Sequence, residues 1–202
     1  MRLGFFNYFI VKNAVELPET KRSSIMKKTL SLVLFTAISI STVATAQESY
    51  VGANFQLGTY EEDGISTSPK LIELKAGYYV TETVALEGRF GFTLSPGVLD
   101  AGGLDIEVGA SSISGFVKGG MPVSATTNLY GLLGITSGTL TASALGVSAS
   151  EKRSGLSYGF GIETSMQEGL NLQAEYVSYL RGEEFGYEWS YSGINIGLSK
   201  SF

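Results

Sequence analysis

The sequence of 202 residues contains no histidine and no cysteine. Without histidine, the chain has no imidazole for acid–base catalysis near neutral pH and no imidazole nitrogen for binding a metal. Without cysteine, it has no thiolate nucleophile, no thiolate zinc site and no attachment point for a lipoprotein anchor. These absences exclude many classes of enzyme, and we expect neither a catalytic site nor a cofactor.

Basic residues and long apolar runs are also scarce. Residues 47–202 contain eight basic and seventeen acidic side chains, a net charge of −9. A chain this acidic lacks the basic surface through which proteins bind nucleic acid, so nucleic acid is excluded as a partner. No apolar run is long enough to cross a membrane as a helix, which needs about 20 residues.

An amino-terminal stretch, residues 26–46, has the layout of a secretory signal peptide. Its basic start, apolar run and small-x-small cleavage site are Lys27 with Lys28, Leu30–Ile38, and Ala44 with Ala46. We therefore predict that export removes this stretch and that the mature chain, residues 47–202, is one domain. We interpret residues 1–25 as an over-extended gene start or an extra amino-terminal region.

The end of the chain, residues 189–202, alternates between apolar and small polar side chains. Successive residues of a strand point to opposite sides, which places the apolar residues on one face. A strand crosses a bilayer with about 9–11 residues, and its backbone groups must all be paired within the hydrocarbon. This pattern therefore predicts a membrane strand in a closed barrel, with the other strands upstream.

Seven upstream segments complete the predicted barrel: 50–58, 71–80, 84–94, 104–121, 128–138, 156–164 and 170–180. The connectors alternate between long and short, as in barrels with long external loops and short periplasmic turns. We predict an all-β fold, an eight-stranded antiparallel up-and-down transmembrane β-barrel preceded by a cleavable signal peptide. Both ends of the mature chain are then periplasmic, and the four longer connectors face outward.

Three stretches depart from the simple pattern. In segment 104–121 the apolar positions change from even to odd numbers, and we place a β-bulge at residues 110–112 to absorb the change. The Ser-, Ala- and Gly-rich stretch 141–155 and the stretch 181–188 are interpreted as connectors between strands.

Seven charged residues lie on the polar faces of the predicted strands: Glu73, Lys75, Glu87, Arg89, Lys118, Glu163 and Glu175. The interior of an eight-stranded barrel is just wide enough to be filled by side chains, and an unpaired ion buried there is costly. We therefore predict that the cations and carboxylates pair as an interior charge network. A gated ion path, or a catalytic carboxylate pair of Glu87 and Glu163, is the open alternative.

Together these features resemble the small outer-membrane β-barrels of Gram-negative bacteria, the porin-family group that includes the OmpA transmembrane domain and the OmpX/Ail proteins. The resemblance implies that the barrel-assembly machinery reads the aromatic carboxy terminus and the apolar residues before it. The matching residues are Phe202, Leu198, Ile196 and Ile194. Lys200 departs from the apolar pattern, but near the predicted periplasmic rim its long side chain can reach the headgroups.

The resemblance also implies a location and partners. It implies export through the periplasm into the Gram-negative outer membrane, where the protein is a monomer surrounded by lipid and lipopolysaccharide. Enzymes of this architecture, namely lipid A palmitoyltransferases, lipid A deacylases and omptin proteases, rely on a histidine that this chain lacks. We therefore predict a protein without enzymatic activity.

Acidic residues collect in the predicted external connectors: Glu61, Glu62, Asp63, Asp100, Asp105, Glu183, Glu184 and Glu188. Such residues are ordinary in solvated loops, and they also give the protein an external surface for a ligand that the sequence does not name. Our first hypothesis is an envelope protein with a structural or adhesion-like role. The alternatives are a small-solute pore and a soluble lipocalin-like barrel whose apolar face turns inward around a ligand.

Overall fold

The computed structural model describes residues 48–62, 65–100, 103, 105–184 and 187–202. These residues form ten strands: β1 (Ser49–Glu62), β2 (Ile65–Thr67), β3 (Lys70–Tyr79), β4 (Val84–Ser95), β5 (Gly97–Asp100), β6 (Asp105–Pro122), β7 (Thr127–Ala144), β8 (Val147–Ser165), β9 (Leu170–Glu184) and β10 (Tyr187–Ser201). The predicted signal peptide, its cleavage site at Ala44 and Ala46, and residues 1–25 lie outside this part of the chain. No helix among the described residues is long and apolar enough to cross a bilayer.

Eight of the strands close into a barrel. They pair antiparallel in the order β1, β3, β4, β6, β7, β8, β9 and β10, and β10 pairs back with β1. The two short strands are additions at one end, where β2 folds back on β1 and β5 pairs with β6. The predicted eight-stranded antiparallel barrel is confirmed.

The strands are staggered around the barrel. One row of paired residues can be followed through all eight strands of the barrel: Ser49, Tyr78, Leu86, Val117, Leu133, Tyr158, Ser178, Ser192 and Thr59. The row leaves β1 at Ser49 and returns to it at Thr59, a stagger of ten residues. In a closed barrel such a stagger tilts the strands by about 40° and leaves an interior that side chains can fill.

The outward side chains form an apolar band that begins at the three short turns, residues 80–83, 123–126 and 166–169. On β7 the outward side chains change from apolar to hydroxyl between Ile135 and Ser137, and on β8 between Leu156 and Ser154. Ser137 lies ten residues from the start of β7. Ten residues of a strand tilted by about 40° span about 25 Å, the height of the lipid-facing band in outer-membrane barrels.

Because the apolar side chains face outward, the lipocalin-like alternative, which needs them in the lumen, is wrong. The strands also continue past the apolar band at the end opposite the short turns. We call this part the protruding end and define it by the described residues 59–62, 65–70, 95–100, 103, 105–110, 137–154, 181–184 and 187–192.

The protruding end corrects two predictions. Residues 141–155 are not a connector, because β7 and β8 run on as a hairpin to the turn Leu145–Gly146. Both turn residues have positive φ, 50° and 77°, as a two-residue hairpin turn of this twist requires. The stretch 181–188 is likewise mostly strand. Above the membrane a strand needs no apolar outward face. Its outward residues are therefore polar, and its sequence resembles that of a loop.

The predicted bulge at residues 110–112 is also wrong. β6 keeps one register with β7 along its whole paired length, and its side chains alternate between buried and exposed throughout. Ile106 and Val108 point inward, where they belong to an apolar cluster in the part of the lumen beyond the membrane. The irregularity lies instead between β4 and β5, which both pair with β6. There the Thr93 hydroxyl accepts from the amide of Ala110 at 2.6 Å and donates to its carbonyl at 2.7 Å.

Candidate functional site

Arg89 lies at the centre of the lumen, almost completely buried. Its Nε donates to Glu87 Oε1 at 2.6 Å, and its Nη1 lies 3.0 Å from Glu73 Oε1. Its Nη2 donates to Glu175 Oε2 at 3.1 Å, and its Nη1 bonds the other oxygen of the same carboxylate. β3, β4 and β9 each contribute a glutamate to one guanidinium, which is suited to this arrangement because it carries five donors in a rigid plane.

Three buried tyrosines that were not predicted from the sequence complete this arrangement. Tyr179 donates its hydroxyl to Glu73 at 2.9 Å, Tyr50 to Glu87 at 2.5 Å and Tyr130 to Glu175 at 2.8 Å. Each glutamate therefore has one tyrosine donor as well as Arg89. Their position in the sequence could have predicted that they face the lumen, since these tyrosines occur on the strand faces that otherwise carry glycine, asparagine and serine.

Glycines make room for two of these rings. A Cβ atom on Gly77 would lie 2.1 Å from the Tyr50 ring, and one on Gly161 would lie 2.5 Å from the Tyr130 ring. The tyrosines therefore lie flat against bare backbone on the neighbouring strands. This close approach lets large side chains fit into a narrow lumen beside the charge network.

The other predicted cations occupy the part of the lumen nearer the short turns. Lys75 Nζ lies 3.7 Å from Glu87 Oε2 and donates to Gln173. Lys118 forms a separate pair with Glu163 at 2.9 Å. The structure thus places Arg89 and four of the other predicted residues in one group, and the remaining two in a separate pair. Glu87 and Glu163, considered above as a shared-proton pair, each have a cation of their own.

An apolar layer covers the network on its protruding side. It contains Tyr60, Leu71, Leu140, Leu180 and Tyr191, all buried. On the other side, a cavity of about 530 Å³ opens at the short-turn end. Among the described residues, the charge network and the apolar layer together fill the middle of the lumen.

β8 and β9 separate at the outer edge of the apolar band, just before the protruding end. Their ladder runs from the pair Ser165 and Asn171 to the pair Tyr158 and Ser178, and it stops there. Beyond that point, among the described residues, β8 pairs with β7 and β9 pairs with β10. A register shift opposite Tyr191 bulges β9 away, because a bulge bends the strand that carries it. We call this separation, between residues 147–157 and 179–184, the β8–β9 split.

Side chains bridge the β8–β9 split. The Arg153 guanidinium on β8 lies 4.2 Å from the ring centre of Trp189 on β10, and Glu151 binds its Nη2 at 2.7 Å. The Trp189 ring reaches across β9 at Gly182, where a Cβ atom would lie 2.7 Å from it. At the outer surface, Arg181 donates to the Tyr158 hydroxyl. These contacts replace the backbone ladder that holds the two strands together nearer the short turns.

A tyrosine near the split has an altered acidity. Tyr60 donates to Glu62 at 2.9 Å within the protruding end. Burial, together with the negative charge of Glu62, raises the pKa of the Tyr60 phenol above its ordinary value. The phenol therefore stays a proton donor at physiological pH.

The residues proposed as the assembly signal lie on the outer surface, along β10 and at the last residue of the chain. Ile194, Ile196, Leu198 and Phe202 are all exposed on the lipid-facing side. The amide of Phe202 donates to the carbonyl of Ser49 at 2.9 Å, so the last residue still belongs to the seam that closes the barrel. Lys200 donates to the Glu168 carbonyl in the adjacent turn.

Comparisons with known proteins agree with this architecture. The family described as "Outer membrane protein beta-barrel domain" matches residues 30–202. The Attachment invasion locus protein of Yersinia enterocolitica is 26% identical over 164 residues, which cover 75% of this chain and 88% of that protein.

Two solved structures are similar in fold. Ail of Yersinia pestis, in complex with the heparin analogue sucrose octasulfate, has a TM-score of 0.53 at 20% identity, covering 77% of this chain and 99% of that chain. Neisserial surface protein A has a TM-score of 0.60 at 13% identity, with 76% and 97% covered. The chain belongs to the outer membrane protein β-barrel family and resides in the outer membrane of Gram-negative bacteria.

Proposed function

We propose that this protein is a non-enzymatic surface-contact protein, which binds external surfaces through its protruding end. The observation that carries the proposal is that the strands continue past the apolar band. β7 and β8 extend beyond Ser137 and Ser154 as a regular hairpin with an outward face of hydroxyl groups. Such a rigid extension is unnecessary for anchoring in a membrane, and it presents a defined surface away from the bilayer.

Charge supports contact with other surfaces. The described residues of the protruding end include nine acidic and four basic residues, a net charge of −5. Such a field attracts cationic partners and acts strongly at low ionic strength. The name of the Yersinia enterocolitica relative, Attachment invasion locus protein, supports a role in attachment.

Orientation is the first test of this proposal. The chain has no cysteine of its own, so single cysteines can be introduced as labels. We expect Ser148→Cys, exposed on the β7–β8 hairpin, to react with a membrane-impermeant maleimide on intact cells. Thr81→Cys, in a short turn, should react only after the outer membrane is opened. The reverse pattern would place the protruding end in the periplasm and contradict the proposal.

Adhesion is the second test. Replacing residues 141–150 with Asn-Gly shortens the hairpin while keeping the pair Leu140 and Glu151 in register. Bacteria that express the full chain should bind cultured epithelial monolayers better than vector controls, and the shortened variant should lose this gain. Heat-modifiable gel migration checks that the variant still folds. Equal binding by all three strains would refute surface contact.

A small-solute pore is the competing function. The Arg89 network and the apolar layer fill the lumen, and a pore would require them to move. We therefore expect no steady conductance from the purified protein in planar bilayers. Large, stable openings would favour the pore.

A further inference from the structure

The cavity at the short-turn end, which we call the short-turn cavity, is large enough for a small molecule. Its volume is about 530 Å³, within the range of about 300–1,000 Å³ that small-molecule sites occupy. Its walls carry carboxylate, amide and hydroxyl groups from strand ends and from two of the short turns. The lining therefore favours a polar ligand.

The charges that line the short-turn cavity do not balance. Glu48, Glu82 and Glu163 line it, and among the described residues no lysine or arginine does. Lys118 lines an adjoining cavity of about 220 Å³, where it is paired with Glu163 at 2.9 Å. No basic group of the described chain lies within 4 Å of the Glu48 or Glu82 carboxylate. Two negative charges therefore remain for a cationic ligand.

Buried hydrogen-bond acceptors on the wall are a second and independent observation. Asn171 lines the cavity and is nine-tenths buried. Its Nδ2 donates to Ser201 Oγ at 3.4 Å, but its Oδ1 has no donor among the described residues. Glu163 is also buried, and only its Oε2 bonds Lys118. Buried acceptors are rarely left without a partner, so these two oxygens indicate a ligand that donates hydrogen bonds.

An organic polycation meets both requirements. Its ammonium groups donate hydrogen bonds and carry the charge that Glu48 and Glu82 attract. A single metal ion fits less well, because no three or more acidic side chains of the described residues lie close enough together to hold one. A flexible chain with spaced ammonium groups can instead reach carboxylates at separate places on the wall. Glu168 and Lys200, at the rim, have opposite charges and leave the balance unchanged.

We propose that the short-turn cavity binds a linear aliphatic polyamine. Its ammonium groups meet the carboxylates of Glu48 and Glu82 at the mouth and the free oxygens of Glu163 and Asn171 on the wall. This site lies at the opposite end of the barrel from the surface-contact region and does not depend on that function. With the protruding end outside the cell, the cavity opens toward the periplasm, and the ligand is a free amine of that compartment.

Calorimetric titration of the full barrel in uncharged detergent micelles tests the proposal. The probes are spermidine, putrescine, butylamine and Mg²⁺. We expect affinity to fall in the order spermidine, putrescine, butylamine, because the number of ammonium groups falls in that order. Mg²⁺ has the same charge as putrescine but on a single centre, and it should bind at least about fivefold more weakly.

Backbone amide signals of the isotope-labelled barrel locate the bound amine. Spermidine should shift the signals of residues 81–82 and 165–171, which border the cavity. The signals of residues 141–150, in the β7–β8 hairpin, should stay in place.

Charge-matched variants provide the control. Glu48→Gln with Glu82→Gln removes two carboxylates from the cavity and should weaken spermidine binding about fivefold or more. Glu107→Gln with Glu188→Gln makes the same change in net charge at exposed positions of the protruding end and should leave binding within about twofold. Asn171→Leu removes the buried acceptor and should weaken binding about threefold. Heat-modifiable migration confirms that each variant is folded.

Several results would overturn the proposal. These are equal affinity for putrescine and Mg²⁺, an equal loss of spermidine binding in the protruding-end control, or unchanged binding in Glu48→Gln with Glu82→Gln. Amide shifts confined to the protruding end would place the bound amine elsewhere and refute the site as well.

Discussion

At the scale of single residues, Arg89 decides how the lumen can be filled. Each of the glutamates at positions 73, 87 and 175 is buried, and each depends on the same guanidinium. Burial of one carboxylate without a cation is unfavourable, and three around one cation are tolerated because tyrosine and asparagine donors satisfy the remaining oxygens.

Arg89→Ala should therefore lower the free energy of unfolding by about 3–5 kcal/mol near neutral pH. A carboxylate left without its cation can be neutralised by a proton, so part of the loss should be regained as pH falls. Urea titrations in detergent at several pH values measure both effects. Leu86→Ala, on the lipid-facing side of the same strand, should show no such recovery. Equal and pH-independent losses would mean that Arg89 does not hold the network together.

Tyr179→Phe tests the role of the tyrosine donors. It removes the hydroxyl that donates to Glu73 and accepts from Asn195 at 2.8 Å. We expect a loss of about 1–3 kcal/mol, because buried polar groups are left without a partner. Tyr176→Phe, on the exposed outer face, should change the free energy of unfolding by less than about 0.5 kcal/mol.

The charged residues of this site could be predicted from sequence because glutamate, lysine and arginine on a membrane strand must face the lumen and find partners. The division of these residues into a group of five around Arg89 and a separate Lys118–Glu163 pair could not be predicted. It depends on the ten-residue stagger, which decides which strands meet at one level, and a single sequence does not specify the stagger.

At the scale of elements, the side-chain bridge across the β8–β9 split depends on one residue without a side chain. Gly182 lets the Trp189 ring lie across β9. Gly182→Ala should push the ring away and change both the fluorescence maximum and the quenching of this single tryptophan by acrylamide. Gly115→Ala, where no atom lies within 4 Å of the added Cβ, is the control and should leave both unchanged. Identical spectra for wild type and Gly182→Ala would show that Trp189 does not occupy this position.

The strands within the bilayer were predictable because lipid imposes an apolar residue at every second position. The strands beyond it were not, because that requirement ends at the membrane surface. β8 illustrates both cases: residues 156–164 were predicted, whereas its first residues from Val147 were interpreted as a connector. On β6 the opposite error occurred: Ile106 and Val108 were assigned to the lipid-facing side because they are apolar, but they pack inside the protruding end.

At the scale of the whole molecule, the strands pair in a closed circle, so the register of one strand decides which of its residues face the lumen and which face the lipid. Deleting Gly115 from β6 would reverse the facing of the residues after it and turn Lys118 toward lipid. We expect this variant to lose heat-modifiable migration. Deleting residues 143–144 together with 147–148 shortens the hairpin by two pairs and should leave that migration intact. A folded Gly115 deletion would contradict the closed register.

The stagger of ten residues also restricts how such a chain can change length during evolution. An insertion of one residue at membrane level must be compensated around the whole circumference, whereas an insertion near Leu145 and Gly146 affects only the hairpin tip. Genetic variation in length should therefore accumulate at the end that meets other surfaces. A barrel of this kind can change what it meets outside the cell while its membrane part is inherited almost unaltered.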